Sequence, residues 1–251
     1  MATIDNKLQL LLGRPISVND FLQVRQFKLG EIVDMGFETY LYKVSFLLRG
    51  VDEFMKMLVD SPNYMDLYMQ KNQLTALYLH VMFCENDAYR EMFIDSLSFV
   101  LGVEPDSIVI GADGVQYILS DNDVKLITEI DFDKIVETVK ISNGFTKADT
   151  DDGTDPYDEK TKRMLEKMKM NRERVEQIKA KERDDNRDIS DLVSAVTVMS
   201  NSINKLNVHE YTLYQIYDEN SRLYTIENYR MSVKSSMFGA DNEITDWGKP
   251  Q

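Results

Sequence analysis

The sequence is poor in the residues that break helices and in the residues that cross-link chains. Its 251 residues include 11 glycines and 5 prolines, which is about half of their usual share. Leucine, methionine, glutamate and lysine are frequent, and these residues favour helices. The one cysteine, Cys84, lies in an apolar run and is predicted to be a buried structural thiol, which fits a reducing compartment.

The sequence also lacks long apolar runs. No stretch of about 18 apolar residues is present, and no charged-then-apolar leader opens the chain, so we expect neither a membrane span nor secretion. The formal net charge of −14 argues against nucleic acid as the main partner. The charge is uneven, since residues 158–187 carry a net of +3 and residues 1–157 a net of −13.

Patterns that indicate catalysis or cofactor binding are missing. The two histidines, His80 and His209, lie far apart and have no Cys or His at ligand spacing, so no zinc site is expected. There is no Gly-rich phosphate loop and no Gly-x-Ser-x-Gly turn. The acidic stretch 148–159 matches a calcium loop poorly, because Ala148 and Thr150 fall at its first and third ligand positions. We therefore predict a protein that is not an enzyme and that has no cofactor or metal.

Residues 1–144 are predicted to form a helical domain with two hairpins. The first hairpin is placed at 7–28, with Leu8 to Leu12 as a strand and a turn at Asn19-Asp20. The second is placed at 107–119, around Asp113-Gly114. Helices are predicted at 29–48 with a bend at Gly36, at 52–59, from Ser61-Pro62, from Asn86 or Asp87 to Gly102, from Asp121 or Asp123, and at 132–141 with an end near Asn143-Gly144.

The rest of the chain divides by composition into three segments. Residues 145–157 are predicted to be an acidic linker, and residues 158–187 a charged connector helix with a thin apolar stripe. Residues 188–251 are predicted to be a module of two helices, one starting at Asp188 and one at Asn207. The stripe assigned to the first of these helices is Ile189, Leu192, Val193, Val196, Met199 and Ile203. The predicted fold class is therefore mainly α, with minor α+β character.

Aromatic and methionine side chains are the candidate partner-binding residues. Tyrosine offers a large contact area with a polar tip, and methionine suits an adaptable apolar surface, although both also pack in ordinary cores. Trp247 could anchor the C-terminus on its own module or dock on a partner. The candidates are Tyr211, Tyr214, Tyr217, Tyr224, Tyr229 and Trp247, with a methionine group of Met55, Met57, Met65 and Met69.

Two zones of the sequence carry a resemblance to a known family. The first zone holds Gly13-Arg14-Pro15-Ile16, then Leu29-Gly30-Glu31-Ile32 with Gly36 and Tyr40. The second holds Ser202-Ile203-Asn204-x-Leu206-Asn207, Leu213-Tyr214-Gln215-Ile216-Tyr217-Asp218, Arg222, Gly239-Ala240-Asp241 and Trp247-x-Lys249-Pro250. In this order the motifs resemble tail assembly chaperones and related tail-module proteins of phages that infect low-GC Gram-positive bacteria (Firmicutes).

The resemblance implies a function in phage tail assembly. Such chaperones bind the long tape-measure protein in the host cytoplasm and keep it soluble, and tail tube proteins then displace them as the tube polymerises. The charged segment 158–187 is less usual for this family. An alternative is a virion structural subunit of the tail, baseplate or connector. Both hypotheses imply protein partners, no nucleic acid and no membrane, and both leave open a homo-oligomer.

Overall fold

The computed structural model describes residues 4–62, 64–111, 114–120, 123–145 and 188–238. Over these residues the protein is mainly α-helical with two small antiparallel sheets, as the sequence predicted. The helices are α1 (Ile4–Leu11), α2 (Leu29–Met35), α3 (Phe37–Leu47), α4 (Val51–Met57), α5 (Tyr64–Met69), α6 (Ala76–Phe83), α7 (Asp87–Leu101), α8 (Glu129–Ser142), α9 (Ile189–Met199) and α10 (Leu213–Met237). The strands are β1 (Ile16–Ser17), β2 (Gln23–Val24), β3 (Ile108–Gly111), β4 (Gly114–Ser120) and β5 (Asp123–Ile127). Short 3₁₀ turns lie at Lys71–Gln73, Pro105–Ser107 and Val208–Glu210.

Several helix ends are set by single residues. The Asn86 side chain accepts a hydrogen bond from the backbone N–H of Tyr89 and caps α7, which ends at Gly102 with a φ of 68°. Gly36, with a φ of 92°, separates α2 from α3, so the predicted bend is a full break. Thr128 and Asp131 form a capping box at the start of α8. Helix α8 therefore starts three residues before the predicted Phe132. Helix α5 differs in the other direction, since it begins at Tyr64, after the predicted Ser61-Pro62.

The first hairpin is shorter than predicted. Strands β1 and β2 pair around the predicted turn, where the Asn19 side chain accepts hydrogen bonds from the backbone N–H groups of Phe21 and Leu22. The prediction of a strand from Leu8 to Leu12 is wrong, because α1 runs through Leu11. Gly13, with a φ of 64°, ends that helix, and the N–H of Arg14 bonds back to Gln9. Gly13 is therefore a helix C-cap.

The second hairpin is confirmed, and a third strand extends it. Strand β4 pairs with β3 and with β5 in the order β3-β4-β5. The prediction that a helix resumes at Asp121 or Asp123 is wrong, since Asp123–Ile127 is strand β5. The segment forms a strand because it pairs with the edge of β4. Val124 and Ile127 favour a strand only when such a neighbouring strand is present.

One hydrophobic core joins the two ends of the chain. Buried residues of α2, α3, α7 and α8 belong to the same cluster as Val196 of α9 and Ile216 of α10. The backbone also connects the two regions, since the N–H of Leu29 donates to the carbonyl of Tyr211 at 2.8 Å. The division into 1–144 and 188–251 stays a prediction, but these two ranges do not have separate cores. The predicted connector helix, and the predicted linker apart from its first residue Phe145, lie outside the described residues.

His80 lies at the centre of an aromatic group. It is fully buried, and the rings of Phe54, Phe93 and Phe132 lie 4.8, 4.7 and 5.5 Å from it, centroid to centroid. Its Nδ1 lies 2.8 Å from the hydroxyl of Tyr89. Burial, with a smaller contribution from the positive charge of Arg49, lowers the pKa of His80 to about 3. His80 is therefore a neutral core residue.

Candidate protein-binding site

The start of α10 is fixed on the N-terminal part of the chain. The hydroxyl of Thr212 accepts a hydrogen bond from the backbone N–H of Gln215, and the Gln215 side chain accepts one from the backbone N–H of Thr212 at 2.8 Å. Gln215 also donates from Nε2 to the carbonyl of Leu11 at 2.7 Å. The predicted start at Asn207 is wrong, because the Thr-x-x-Gln capping box starts the helix after Thr212 instead. Residues 208–210 form a 3₁₀ turn instead.

The start of α9 is fixed by its own cap. The carboxylate of Asp188 accepts hydrogen bonds from the backbone N–H groups of Ser190 and Asp191 at 2.8 and 3.2 Å. A hydrogen bond with the Ser190 side chain, followed by those from the two backbone N–H groups, holds the pKa of Asp188 below its usual value. The start at Asp188 agrees with the sequence prediction. The predicted apolar stripe holds only in part, since Val196 is fully buried whereas Met199, at the end of the helix, is half exposed.

A groove of about 620 Å³ lies between α9 and α10. Ile189, Leu192 and Ala195 provide apolar surface, and Tyr217 with Asn220 lines it from α10. Two carboxylates, Asp188 and Asp191, lie at the end where α9 begins. The groove thus combines an apolar wall with a negatively charged end. This is the arrangement that accepts the apolar face of an amphipathic helix and a cationic side chain beside it.

Tyr217 is the predicted residue that the structure places in this groove. Its ring packs against the backbone of Gly144, just after α8, and 38% of the residue is exposed. Burial raises the pKa of Tyr217, so its hydroxyl is protonated at neutral pH and can donate a hydrogen bond. Tyr217 thus lies on α10 where that helix meets α8 and α9, and it is the predicted aromatic residue that lines the groove.

The other predicted tyrosines do not line the groove with Tyr217. Tyr211 precedes α10 and is half-buried. Tyr214 is half-buried on the helix, and burial followed by the charge of Asp218 raises its pKa. Tyr229 is also half-buried, and Tyr224 is 69% exposed. Trp247 lies outside the described residues.

The second half of α10 carries exposed apolar side chains. The buried residues of the whole helix, Leu213 and Ile216, belong to the first turn of α10. From Leu223 to Met237 the helix spans about 21 Å, at 1.5 Å per residue. Within that half, and at the residue that follows it, large apolar side chains face solvent: Tyr224, Met231, Met237 and Phe238. These side chains are therefore available for contact with other molecules.

The predicted methionine group is divided between core and surface. Met55 is 4% exposed and packs with Phe54 and Leu79 in a small second cluster. Met57, Met65 and Met69 are at least half exposed. The four residues therefore do not form one groove wall, because α4 turns Met55 towards α6.

In the described part of the chain, the surroundings of Cys84 and Asp131 indicate structural roles for these two side chains. Cys84 is buried, and burial raises the pKa of its thiol to about 11. Asp131 is almost buried; burial acts to raise its pKa, but hydrogen bonds from Thr128 and Asn19 bring the net shift below the usual value. In the described residues no group of three or more His, Cys, Asp or Glu side chains could hold a metal ion. Within the same residues no helix is long and apolar enough to cross a membrane.

Sequence reasoning missed the outer face of the β3–β5 sheet. Val109, Val124 and Leu126 expose 40 to 49% of their area there. The apolar alternation of Val124 and Leu126 about Lys125 was the available sign of a strand, and the acidic turn before it favoured a helix start instead.

Comparison with known proteins relates the C-terminal region to a phage-derived family. The family described as YomV second domain matches residues 179–249. That range includes α9, α10 and the groove between them, and the match is consistent with a phage protein. No curated protein and no solved structure matches the chain.

Proposed function

We propose that this protein is a phage tail assembly chaperone that binds the tape-measure protein and keeps it soluble until the tail tube polymerises. The observation that carries the proposal is the groove between α9 and α10, which lies within the range that matches a phage-derived family. The groove is apolar along α9 and negatively charged where that helix begins. A helix with an apolar face and basic flanks matches both features.

The geometry suggests how binding would be reversible. Ile189 and Leu192 present their side chains at the groove while they also pack on the core, so the site exists before a partner arrives. A preformed site loses little conformational entropy on binding. The groove is open to solvent and small, so a bound helix would remain displaceable by tail tube subunits. The net charge of −14 would keep the complex dispersed.

The alternative is a virion structural subunit of the tail, baseplate or connector. The exposed apolar side chains at the end of α10 favour it, because a permanent neighbour in a particle would cover them. The two functions differ in the protein composition of purified particles. A chaperone is absent from them, whereas a structural subunit is present in stoichiometric amounts.

A groove-filling substitution tests the chaperone function. Ala195 is exposed and lines the groove, so Ala195→Arg fills it with a bulky cationic side chain at little cost to the fold. Val198 lies on the same helix, is 74% exposed and does not line the groove, so Val198→Arg is the matched control. Each variant is co-expressed with the tape-measure protein of the same phage. The soluble fraction of that protein and its co-purification are then measured.

We expect Ala195→Arg to reduce co-purification at least ten-fold and Val198→Arg to leave it unchanged. Equal effects of both variants would exclude the groove as the binding site. Failure of the wild-type protein to solubilise the tape-measure protein, together with its recovery from purified particles, would replace the chaperone by the structural subunit.

A further inference from the structure

The sheet formed by β3, β4 and β5 is apolar on both faces. On the inner face Val115 pairs with Ile110 and Ile127, and Val115 and Ile127 are buried. On the outer face Ile118 pairs with Val124, and Gln116 lies between Val109 and Leu126. A sheet with one solvated face alternates apolar and polar residues, whereas a sheet covered on both faces does not. The pattern of this sheet is that of a sheet with a cover on its outer side.

A groove of about 520 Å³ borders the sheet, and it is lined by Val115 and Ile127 of the inner face as well as by Leu126 of the outer face. Leu126 belongs to both surfaces, since it lies on the outer face and lines the groove. Tyr78 of α6 and Ile130 of α8 line the other side and are 51% and 68% exposed. Leu126 thereby connects the outer face with the exposed apolar residues beside the groove, and we call these residues together the sheet surface. It consists of Tyr78, Val109, Ile118, Val124, Leu126 and Ile130.

The sheet surface lies in an acidic part of the described fold. The described residues of the range 104–133 contain six Asp or Glu and one Lys, which is a net charge of −5. Glu129 lines the groove itself, and the one lysine, Lys125, forms an ion pair with Asp123 at 2.9 Å. Two copies of this surface packed face to face would bring two such charges together. The charge therefore disfavours a second copy and favours a cationic partner.

The dimensions suit one α-helix. Three strands spaced about 4.8 Å apart give a surface about 10 Å wide, which is the diameter of a helix with its side chains. The five residues of β5 extend over about 17 Å, the length of three helical turns. We propose that the sheet surface binds an amphipathic helix of another polypeptide, about three turns long, whose polar face is basic.

This chain also contains a basic block of its own, residues 158–187. That block contains eight Asp or Glu as well as eleven Lys or Arg. It therefore matches an acidic surface less well than a purely basic polar face does. The proposal is independent of the groove between α9 and α10, and holds whether or not the protein is a tail chaperone. Binding of the chain's own block is an outcome that the test must distinguish.

Two designed 18-residue helical peptides with the same apolar stripe test the proposal. One has Lys and Arg on its polar face, and the other has Glu and Asp. Each is labelled with a fluorophore and titrated with the full chain, and the anisotropy gives its Kd. We expect the basic peptide to bind at least ten-fold more tightly than the acidic one, with a preference that weakens in high salt.

Leu126→Asp tests the location, because its half-exposed side chain can be changed without opening the core. We expect it to weaken binding of the basic peptide at least ten-fold and to leave the melting temperature within a few degrees. Val198→Asp, which also adds a carboxylate at an exposed apolar position, is the matched control and should have no effect. Ala195→Arg should also leave this binding unchanged, which separates the sheet surface from the proposed chaperone groove.

Three results would overturn the proposal. The first is equal affinity for both peptides, and the second is unchanged binding by Leu126→Asp. The third is binding only after residues 146–187 have been replaced by a Gly/Ser linker, since the chain itself would then be the occupant.

Discussion

The ring of Tyr217 packs against the backbone of Gly144. A Cβ built on Gly144 would lie 3.1 Å from Cδ2 and Cε2 of that ring, and Gly144 has a φ of 69°. Gly144 follows the end of α8, and Tyr217 lies on α10, so this contact joins parts of the chain that are 73 residues apart. It places the aromatic residue of the candidate groove directly on the N-terminal part of the fold.

Gly144→Ala should destabilise the protein by about 2 kcal/mol. The left-handed conformation costs a residue with a Cβ about 1 kcal/mol, and the contact with the Tyr217 ring adds to it. Urea unfolding followed by circular dichroism measures the change. Gly102→Ala is the matched control, because Gly102 has a φ of 68° and would meet the flexible Arg25 side chain instead. Tyr217→Ala in the Gly144→Ala background should recover the steric part, and strict additivity of the two changes would contradict this account.

A fragment that ends at Phe145 should not fold. Removal of residues 188–251 takes Val196, Leu213 and Ile216 out of the shared core and uncovers the apolar residues they contact. Circular dichroism and gel filtration of the fragment should show an unfolded or aggregated chain. A cooperative unfolding transition of the fragment would show that residues 1–145 are an independent domain.

Replacement of residues 146–187 by a short Gly/Ser linker is the control for that truncation. Gly144 contacts Tyr217, and Asp188 lines the same groove as Tyr217, so both ends of the replaced segment lie beside one residue. We expect this variant to retain the circular dichroism spectrum and the cooperative unfolding of the full chain.

Stability should fall by about 2 kcal/mol between pH 7 and pH 5. His80 has a pKa of about 3 in the folded protein and about 6.5 in the unfolded chain, so the unfolded state binds the additional proton as the pH falls below 6.5. The contribution is fully present above pH 6.5 and is lost progressively towards pH 3. Urea unfolding at a series of pH values measures it.

His80→Gln should remove most of this pH dependence, although the variant is less stable at pH 7. Carboxyl groups whose pKa values are lowered, such as Asp131 and Asp188, lose their stabilising contribution only near and below pH 4. An unchanged slope between pH 7 and pH 5 in His80→Gln would mean that another group titrates in this range.

Tyr40→Phe should destabilise the fold by about 1–3 kcal/mol. The buried hydroxyl of Tyr40 donates a hydrogen bond to Oδ1 of Asn143 at 2.5 Å, and its loss leaves a buried acceptor without a donor. Tyr42→Phe is the control, because Tyr42 lies on the same helix and is 53% exposed. Its effect should be within about 0.5 kcal/mol. A double-mutant cycle with Asn143→Ala should show coupling, and its absence would contradict the hydrogen bond.

Local features of the fold could be predicted because their causes lie within a few residues of chain. Asn86 and Gly102 bound α7, and Asp188 starts α9, since each of these residues acts on backbone groups of its own helix. The turn at Asn19 was predictable for the same reason. The start of α10 was missed because two capping patterns, at Asn207 and at Thr212, compete within a few residues.

The sequence by itself determined the helix-rich fold class, both ends of α7, the start of α9, the positions of the two hairpins and the acidic charge, all of which follow from residue type and short-range contacts. Tertiary structure decided which segments share a core, that β5 is a strand and that Tyr217 lies on Gly144. A strand edge or a packing partner far away in the chain supplies the free energy for each of these. No pattern within a short window of sequence records which distant segment will supply it.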